Sequence, residues 1–184
     1  MFEANITNED DSVLIHKVIG GDREAFKQLY MLYHKRIFAY LLKILSDKET
    51  AEEVLNDVMF DVWRSAANFK GQSKLATWIF GIAHNKAMNA LRKTKGKEFS
   101  ELEEIESKDN PQTEAEKKNL GQKIKTALTH LSEEHRAVIE LTFYHGFSYA
   151  EIAEVVDCPV NTVKTRMFHA KRLLQGILDK SGLR

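Results

Sequence analysis

Apolar residues recur every three to four positions along most of this chain, the spacing that gathers them on one face of an α-helix. Residues 11–19 read as a short helix broken at Gly20 and Gly21. Asp22 is then placed to cap a long helix over residues 23–45, whose buried stripe is Phe26, Leu29, Tyr30, Tyr33, Ile37, Tyr40, Leu41 and Ile44. A third helix is expected from about residue 49 to 66, turning Ala51, Val54, Leu55, Val58 and Val62 inward and its acidic residues outward. After the polar stretch 68–73 a fourth runs from residue 74 to about 93, with Leu75, Trp78, Ile79, Ile82, Ala83 and Leu91 facing in. These four make one compact helical domain.

The periodicity lapses over residues 93–119, KTKGKEFSELEEIESKDNPQTEAEKKN. This charged run, poor in aromatics, cannot bury enough apolar surface to pack and reads as a flexible linker. Helical spacing resumes over residues 122–131, and Ser132 caps a further helix carrying Val138, Ile139, Leu141 and Phe143 to a stop at Gly146. Ser148 and Glu151 then form an S-x-x-E capping box, so a helix starts at Tyr149 on the stripe Ile152, Ala153 and Val156. It stops at Asp157-Cys158-Pro159, because proline disfavours helical geometry at the residue before it and suits the first turn of a new helix. The last helix is expected to begin near Asn161 or Thr162. Its Val163, Met167, Ala170 and Leu174 share one face, while Thr165 and Arg172 point the opposite way with Phe168 and His169 beside them. Helix, tight turn and basic second helix is the layout that places a helix in a DNA major groove. The expected fold class is all-α, with helical domains over residues 1–95 and 122–184 joined by a charged linker over 96–121.

Composition is consistent with this, since two prolines and nine glycines in 184 residues interrupt few helices. The opening MFEANITNEDD has no basic residue ahead of an apolar core, so it is no signal peptide, and no apolar run is long enough to span a bilayer. A cytoplasmic protein without membrane insertion is expected. Cys158, the sole cysteine, excludes an internal disulfide and a multi-cysteine zinc site, and reads as a small buried plug in its turn. The seven histidines are scattered without ligand spacing, so no metal or other cofactor is implied. No motif groups a nucleophile, a base and an orienting residue, which argues against an enzyme.

The zero net charge hides blocks of opposite sign. Asp47, Glu49, Glu52, Glu53, Asp57 and Asp61 stand against Lys48 alone, whereas residues 70–97 contain seven lysines and arginines and no acid. Residues 98–116 are acidic again, and from residue 161 to the end Lys164, Arg166, Lys171, Arg172, Lys180 and Arg184 face only Asp179. Separate blocks imply different partners for different faces, with nucleic-acid phosphate suited to the basic ones.

In this order the two helical domains resemble the extracytoplasmic-function group of bacterial RNA polymerase sigma factors. GDREAFKQLYMLYHKRIFAYL resembles the group's opening helices, and AEEVLNDVMFDVW its polymerase-binding helix. FKGQSKLATWIFGIAHNKAMNALRK resembles its promoter-melting and minus-ten segment, and LSEEHRAVIELTFYHGFSYAEIAEVVDCPVNTVKTRMFHAKRLL the region that reads the minus-thirty-five element.

The resemblance implies a protein that binds core RNA polymerase, directs it to promoter DNA of a stress or envelope regulon and is held inactive by an anti-sigma factor. Glu52, Glu53, Asn56 and Asp57 match the polymerase-docking positions, with Asn56 where the family often has glutamine. Lys70, Gln72, Ser73 and Lys74 match the loop that captures a flipped minus-ten base, a role for which polar residues and lysines are suited. Asn85, Lys86 and Arg92 follow on the next helix facing duplex or backbone. Trp78 has two readings, a wedge at the melting fork or a core residue, and Ile79 replaces the second tryptophan of primary sigma factors. Lys164, Thr165, Phe168, His169 and Arg172 match or adjoin the minus-thirty-five reading positions, with Arg166 as a phosphate contact. His169 stands where an arginine is common, so either one base preference differs or that contact depends on pH. The linker is expected to thread through the polymerase towards the RNA exit path, either mimicking nucleic acid or serving as a tether. The rival is a two-domain helix-turn-helix regulator, which would need an α/β receiver where this chain reads as helix.

Overall fold

The computed structural model describes residues 8–95, 127, 128 and 130–180. Among them there are seven α-helices and no strand. α1 spans Asn8–Ile19, α2 Arg23–Leu45, α3 Lys48–Ser65 and α4 Leu75–Lys95, with a 3-10 turn over Ala66–Asn68. α5 spans Glu133–Phe143, α6 Tyr149–Val155 and α7 Val160–Lys180. The linker expected over 96–121 lies outside the described residues.

The helix boundaries follow from local capping. The Asp22 carboxylate accepts from the backbone N–H of Glu24 (2.9 Å) and Ala25 (3.1 Å), satisfying two of the donors left open at the start of α2. Asp47 does the same for α3 through Thr50 N–H at 2.6 Å. α1 begins three residues before the expected Asp11 and is tied to α2 by a buried hydrogen bond from the Tyr33 hydroxyl to Asp11 Oδ2, 2.7 Å. Of the helix expected over 122–131, Ala127 and Leu128 are helical, while His130 and Leu131 already lie in the turn before Ser132 caps α5. α5 ends where Gly146 takes φ +71°, a left-handed value glycine adopts without steric cost, and Phe147 N–H closes back on Leu141 O at 3.0 Å.

α6 ends in the same way on Asp157, at φ 48°, with Cys158 N–H bonded to Ala153 O at 3.0 Å. α7 starts one residue before the earlier of its two expected positions, because Pro159 O already accepts from Thr162 N–H (2.8 Å) and Val163 N–H (3.2 Å). Two side chains differ from expectation. Phe143 turns outward, 61% exposed, with the Lys171 ammonium over its ring, and Cys158 is half-buried rather than a sealed plug because its thiol faces Arg166.

One hydrophobic core runs through the described residues, from Ile15 and Val18 through Leu29, Ile37, Leu41, Val58 and Ile79 to Val138, Leu141, Ile152, Val163 and Met167. It is continuous because α4 packs against α6, and α2 against α5. α4 is therefore buried on two sides: Ile79 and Ala83 belong to the stripe expected from periodicity, and the fully buried Phe80 makes aromatic contacts with His145 and Phe147 of the turn between α5 and α6.

Candidate polymerase and nucleic-acid interfaces

α3 sorts its residues by face. Ala51, Val54, Leu55, Val58, Met59 and Val62 are buried, and Glu52, Glu53, Asn56 and Asp57 are exposed. Lys48 pairs with Glu52 at 3.7 Å, a surface contact of little energetic weight. One turn after Asn56, the Phe60 ring is 61% exposed beneath the Arg64 guanidinium. Phe60, Met59 and Trp63 line a groove of about 480 Å³ with Phe26 and Tyr30 of α2, and Arg23 and Asn56 border it. An exposed phenylalanine within an acidic face is an apolar contact point that the sequence reading missed, although its signal was visible: Phe60 falls off the apolar stripe of α3.

The segment between the 3-10 turn and α4 carries Lys70, Gln72 and Lys74 exposed and Ser73 half-buried. Gly71 sits at its apex with φ +68°, which an L side chain adopts only under strain. Trp78 is half-buried with its ring centroid 5.5 Å from that of Phe69, so it supports the loop from the core side. Asn85 and Arg92 are exposed on α4, Arg92 holding Asn89 Oδ1 at 2.6 Å. Lys86 is turned towards α3, with its ammonium 2.9 Å from Asp61 and 4.0 Å from Asp57. It thus bridges the acidic helix and the basic one.

α6 and α7 form the helix-turn-helix. Both halves of the capping box are present: Ser148 Oγ accepts from Glu151 N–H (3.3 Å), and Glu151 Oε2 accepts from Ser148 N–H (2.8 Å) and from its hydroxyl (2.7 Å). On α7, Val163, Met167 and Ala170 are buried, while Lys164, Thr165, Phe168, His169 and Arg172 are exposed. Phe168 is 62% exposed, a large apolar group on an otherwise polar face. The Thr165 hydroxyl donates to Asn161 O at 3.0 Å and keeps its lone pairs for an outside donor. Arg166 is half-buried and lies against Cys158 Sγ at 3.9 Å, facing the protein rather than the open side of α7.

Between the two helical groups lies a clasp that the sequence reading did not foresee. The rings of Tyr40, Phe80, His145 and Phe147 pack with centroids 4.9–5.9 Å apart, and the Arg36 guanidinium sits 5.7 Å over Phe80. Tyr40 shares a 2.8 Å hydrogen bond with His84 Nδ1. Burial, with Arg166 adding to it and Glu134 opposing, pushes the His84 imidazole down from 6.5 to about 4. Burial and Arg36 bring His145 down to about 4 as well. Arg136 of α5 donates to Lys43 O and Ser46 Oγ at the end of α2, 3.2 Å each, and Arg36 to His145 O at 3.4 Å. Beside them Glu140 is buried, and burial raises its carboxyl above the ordinary value against the pull of Lys43 and Arg136. At the far edge Lys74 Nζ meets Glu151 Oε1 at 2.7 Å.

Among the described residues no helix is long and apolar enough to cross a membrane, and no group of three His, Cys, Asp or Glu side chains is placed to hold a metal ion. Two family models match the chain, Sigma-70 region 2 over residues 29–97 and Sigma-70 region 4 over residues 121–174. The RNA polymerase sigma-H factor of Pseudomonas aeruginosa is 30% identical, across 95% of this chain and 96% of that protein. The ECF RNA polymerase sigma-E factor of Escherichia coli K12 is 28% identical, across 89% and 92%. In three dimensions the chain is similar to the sigma factor RpoE solved with the anti-sigma factor NepR from Bartonella quintana, with TM-score 0.67, 26% identity and coverage of 84% of this chain and 96% of that one. CnrH, solved with the cytosolic domain of CnrY, shares the fold at TM-score 0.71 and 23% identity, covering 92% and 97%. On the two matched regions and a relative of this identity over nearly its full length, the chain belongs to the extracytoplasmic-function sigma factors of RNA polymerase.

Proposed function

We propose that the chain acts in the cytoplasm as a non-enzymatic promoter-specificity subunit, with α3 as its seat on core RNA polymerase. The α4 loop is its minus-ten reader and α7 its minus-thirty-five reader. The observation that carries this reading is the separation of charge onto exposed faces: Glu52, Glu53, Asn56 and Asp57 on α3, against Lys164, Thr165, Phe168, His169 and Arg172 on a helix with no acid in its first turn. An acidic face suits a basic protein surface, and Phe60 adds an apolar anchor one turn on, the mixture expected of a specific protein interface. A basic helix with an aromatic and a threonine on its open side suits the major groove, where lysine and arginine meet guanine and apolar groups meet the thymine methyl. Lys70, Gln72 and Lys74 around Gly71 give an unstacked base polar partners and a backbone cation.

A protein of this kind is governed by whatever masks those faces, and the complexes formed by the similar sigma factors support an anti-sigma partner here. The test is runoff transcription with purified core polymerase on fragmented genomic DNA of the source organism, followed by sequencing of the DNA that the reconstituted holoenzyme retains. Transcripts starting at a shared two-element motif are expected. A chain that binds DNA and leaves core polymerase without promoter selectivity would instead be a free-standing regulator.

A further inference from the structure

One cation of the basic block is turned away from the open face of its helix. α4 presents Asn85, Asn89 and Arg92 at helical spacing on its exposed side, and Lys86 stands about 100° round the helix from Asn85, at the edge that faces α3. Its stem crosses to α3, where the ammonium lies 2.9 Å from Asp61 Oδ2 and 4.0 Å from Asp57 Oδ2, two acids one turn apart. The Lys86 and Asp61 side chains are 26% and 29% exposed, so both members of this pair are mostly shielded, whereas Asp57 is 74% exposed. The ion pairs formed within single helices, Glu24 with Lys27 and Lys48 with Glu52, are open to solvent on both sides.

Distance and exposure together set what Lys86 can do. To reach a DNA phosphate its ammonium must leave Asp61, abandoning a mostly shielded carboxylate to the more distant Arg64 at 3.5 Å. Taking one partner from a shielded pair costs more than the pair itself contributes, because the charge left behind is poorly solvated. Arg92 on the same helix faces no such cost: it holds the neutral Asn89 Oδ1 on the exposed side. Apart from this pair, α3 and α4 meet through apolar packing. Apolar contact is non-directional, whereas a charged pair at hydrogen-bond distance fixes how one helix is rotated and set along the other. We propose that Lys86 is a positioning residue: it acts through Asp61 to hold α4 in one register on α3, so that the minus-ten reader stands at a fixed place on the docked polymerase, and it makes no phosphate contact of its own. Asp57, more distant and open to solvent, is left for the polymerase surface. The proposal rests on the assignment of α3 to polymerase docking and of α4 to minus-ten DNA.

Lys86→Gln and Asp61→Asn each remove one charge of the pair and keep the side chain close to its size. In urea unfolding of the full chain, the double variant should lose less than the two single losses combined, by about fivefold in the folding equilibrium constant, the upper end for a pair near a surface. With core polymerase saturating, each single variant should bind a duplex promoter about fivefold more weakly, while the slope of log affinity against log salt stays that of the parent. Arg92→Gln, which removes an exposed cation from the same helix, should lower that slope by about one. The charge swap Lys86→Asp with Asp61→Lys should recover most of the lost promoter affinity, because it rebuilds the tie in reverse; if Lys86 met a phosphate, the swap would be the weakest binder of the set. A fall of about one in the slope for Lys86→Gln, or a swap weaker than either single variant, would overturn the proposal in favour of direct DNA contact. Additive losses in urea would overturn the tie, and full promoter affinity in both single variants with only stability reduced would overturn the positioning role. A parent holoenzyme that selects no promoter would instead count against the assignment of α3 and α4, with the coupling in urea still deciding whether the tie exists.

Discussion

His84 is the group through which this fold should feel acid. It is 6% exposed at the clasp, shares its Nδ1 with the Tyr40 hydroxyl and faces Arg166, with Glu134 the opposing charge. Its folded-state value of about 4 lies below the ordinary 6.5, so the unfolded chain takes up a proton that the folded chain refuses. The sign follows directly. Above pH 6.5 both states are neutral and stability is full; as pH falls the unfolded state is favoured, and the loss levels off below about 4. With these two values His84 alone removes about 2 kcal/mol between pH 7 and 5 and about 3 kcal/mol by pH 4, a large share of an ordinary stability. His145, depressed similarly by burial and Arg36, should add a separate loss over the same window. The assay is urea unfolding at pH 7, 6 and 5 for the parent and for His84→Gln, whose amide can still bond the Tyr40 hydroxyl but does not titrate. The parent should lose about 2 kcal/mol more than the variant between pH 7 and 5. Parallel pH profiles would refute the assignment and require His84 to be protonated in the folded chain without penalty.

The exposed faces yield three more expectations. Reversing Glu53 and Asp57 together to Lys should weaken core polymerase binding by roughly tenfold, mostly in the association rate and most at low salt, while circular dichroism stays unchanged; an unaltered rate rejects α3 as the docking face. Lys164→Ala and His169→Ala should relax preference at single minus-thirty-five positions by about 1 to 3 kcal/mol, as read on a panel of single-base promoter variants. Replacing Gln72 and Lys74 with Ala should slow open-complex formation on duplex promoters far more than on a template already mismatched across the minus-ten element, and equal losses would mean the loop supplies only general affinity.

The reach of the sequence is clearest in α3 and α7, where a single face is buried. There the apolar stripe and the open face both follow from one periodicity, and Val58, Val62, Val163 and Met167 are buried as the spacing requires. α4 obeys the same rule and exceeds it. Phe80 falls outside the expected stripe, yet it is fully buried because a second group of helices covers that side. An apolar helix with few polar positions was the available signal, since a helix hydrophobic on most of its circumference needs cover from two directions. What covers it was not legible. Phe80 is covered by His145 and Phe147 from the turn between α5 and α6, a turn whose Tyr144-His145-Gly146 reads as exposed, and Arg136 beside it caps the end of α2. The Tyr40–His84 and Arg36–His145 hydrogen bonds join residues 44 and 109 positions apart, and no local spacing encodes such a match. The clasp is therefore legible only in part: Ile152 and Ala153 of α6 are buried as their spacing requires, whereas the polar groups beside them are matched to partners only by the tertiary fold.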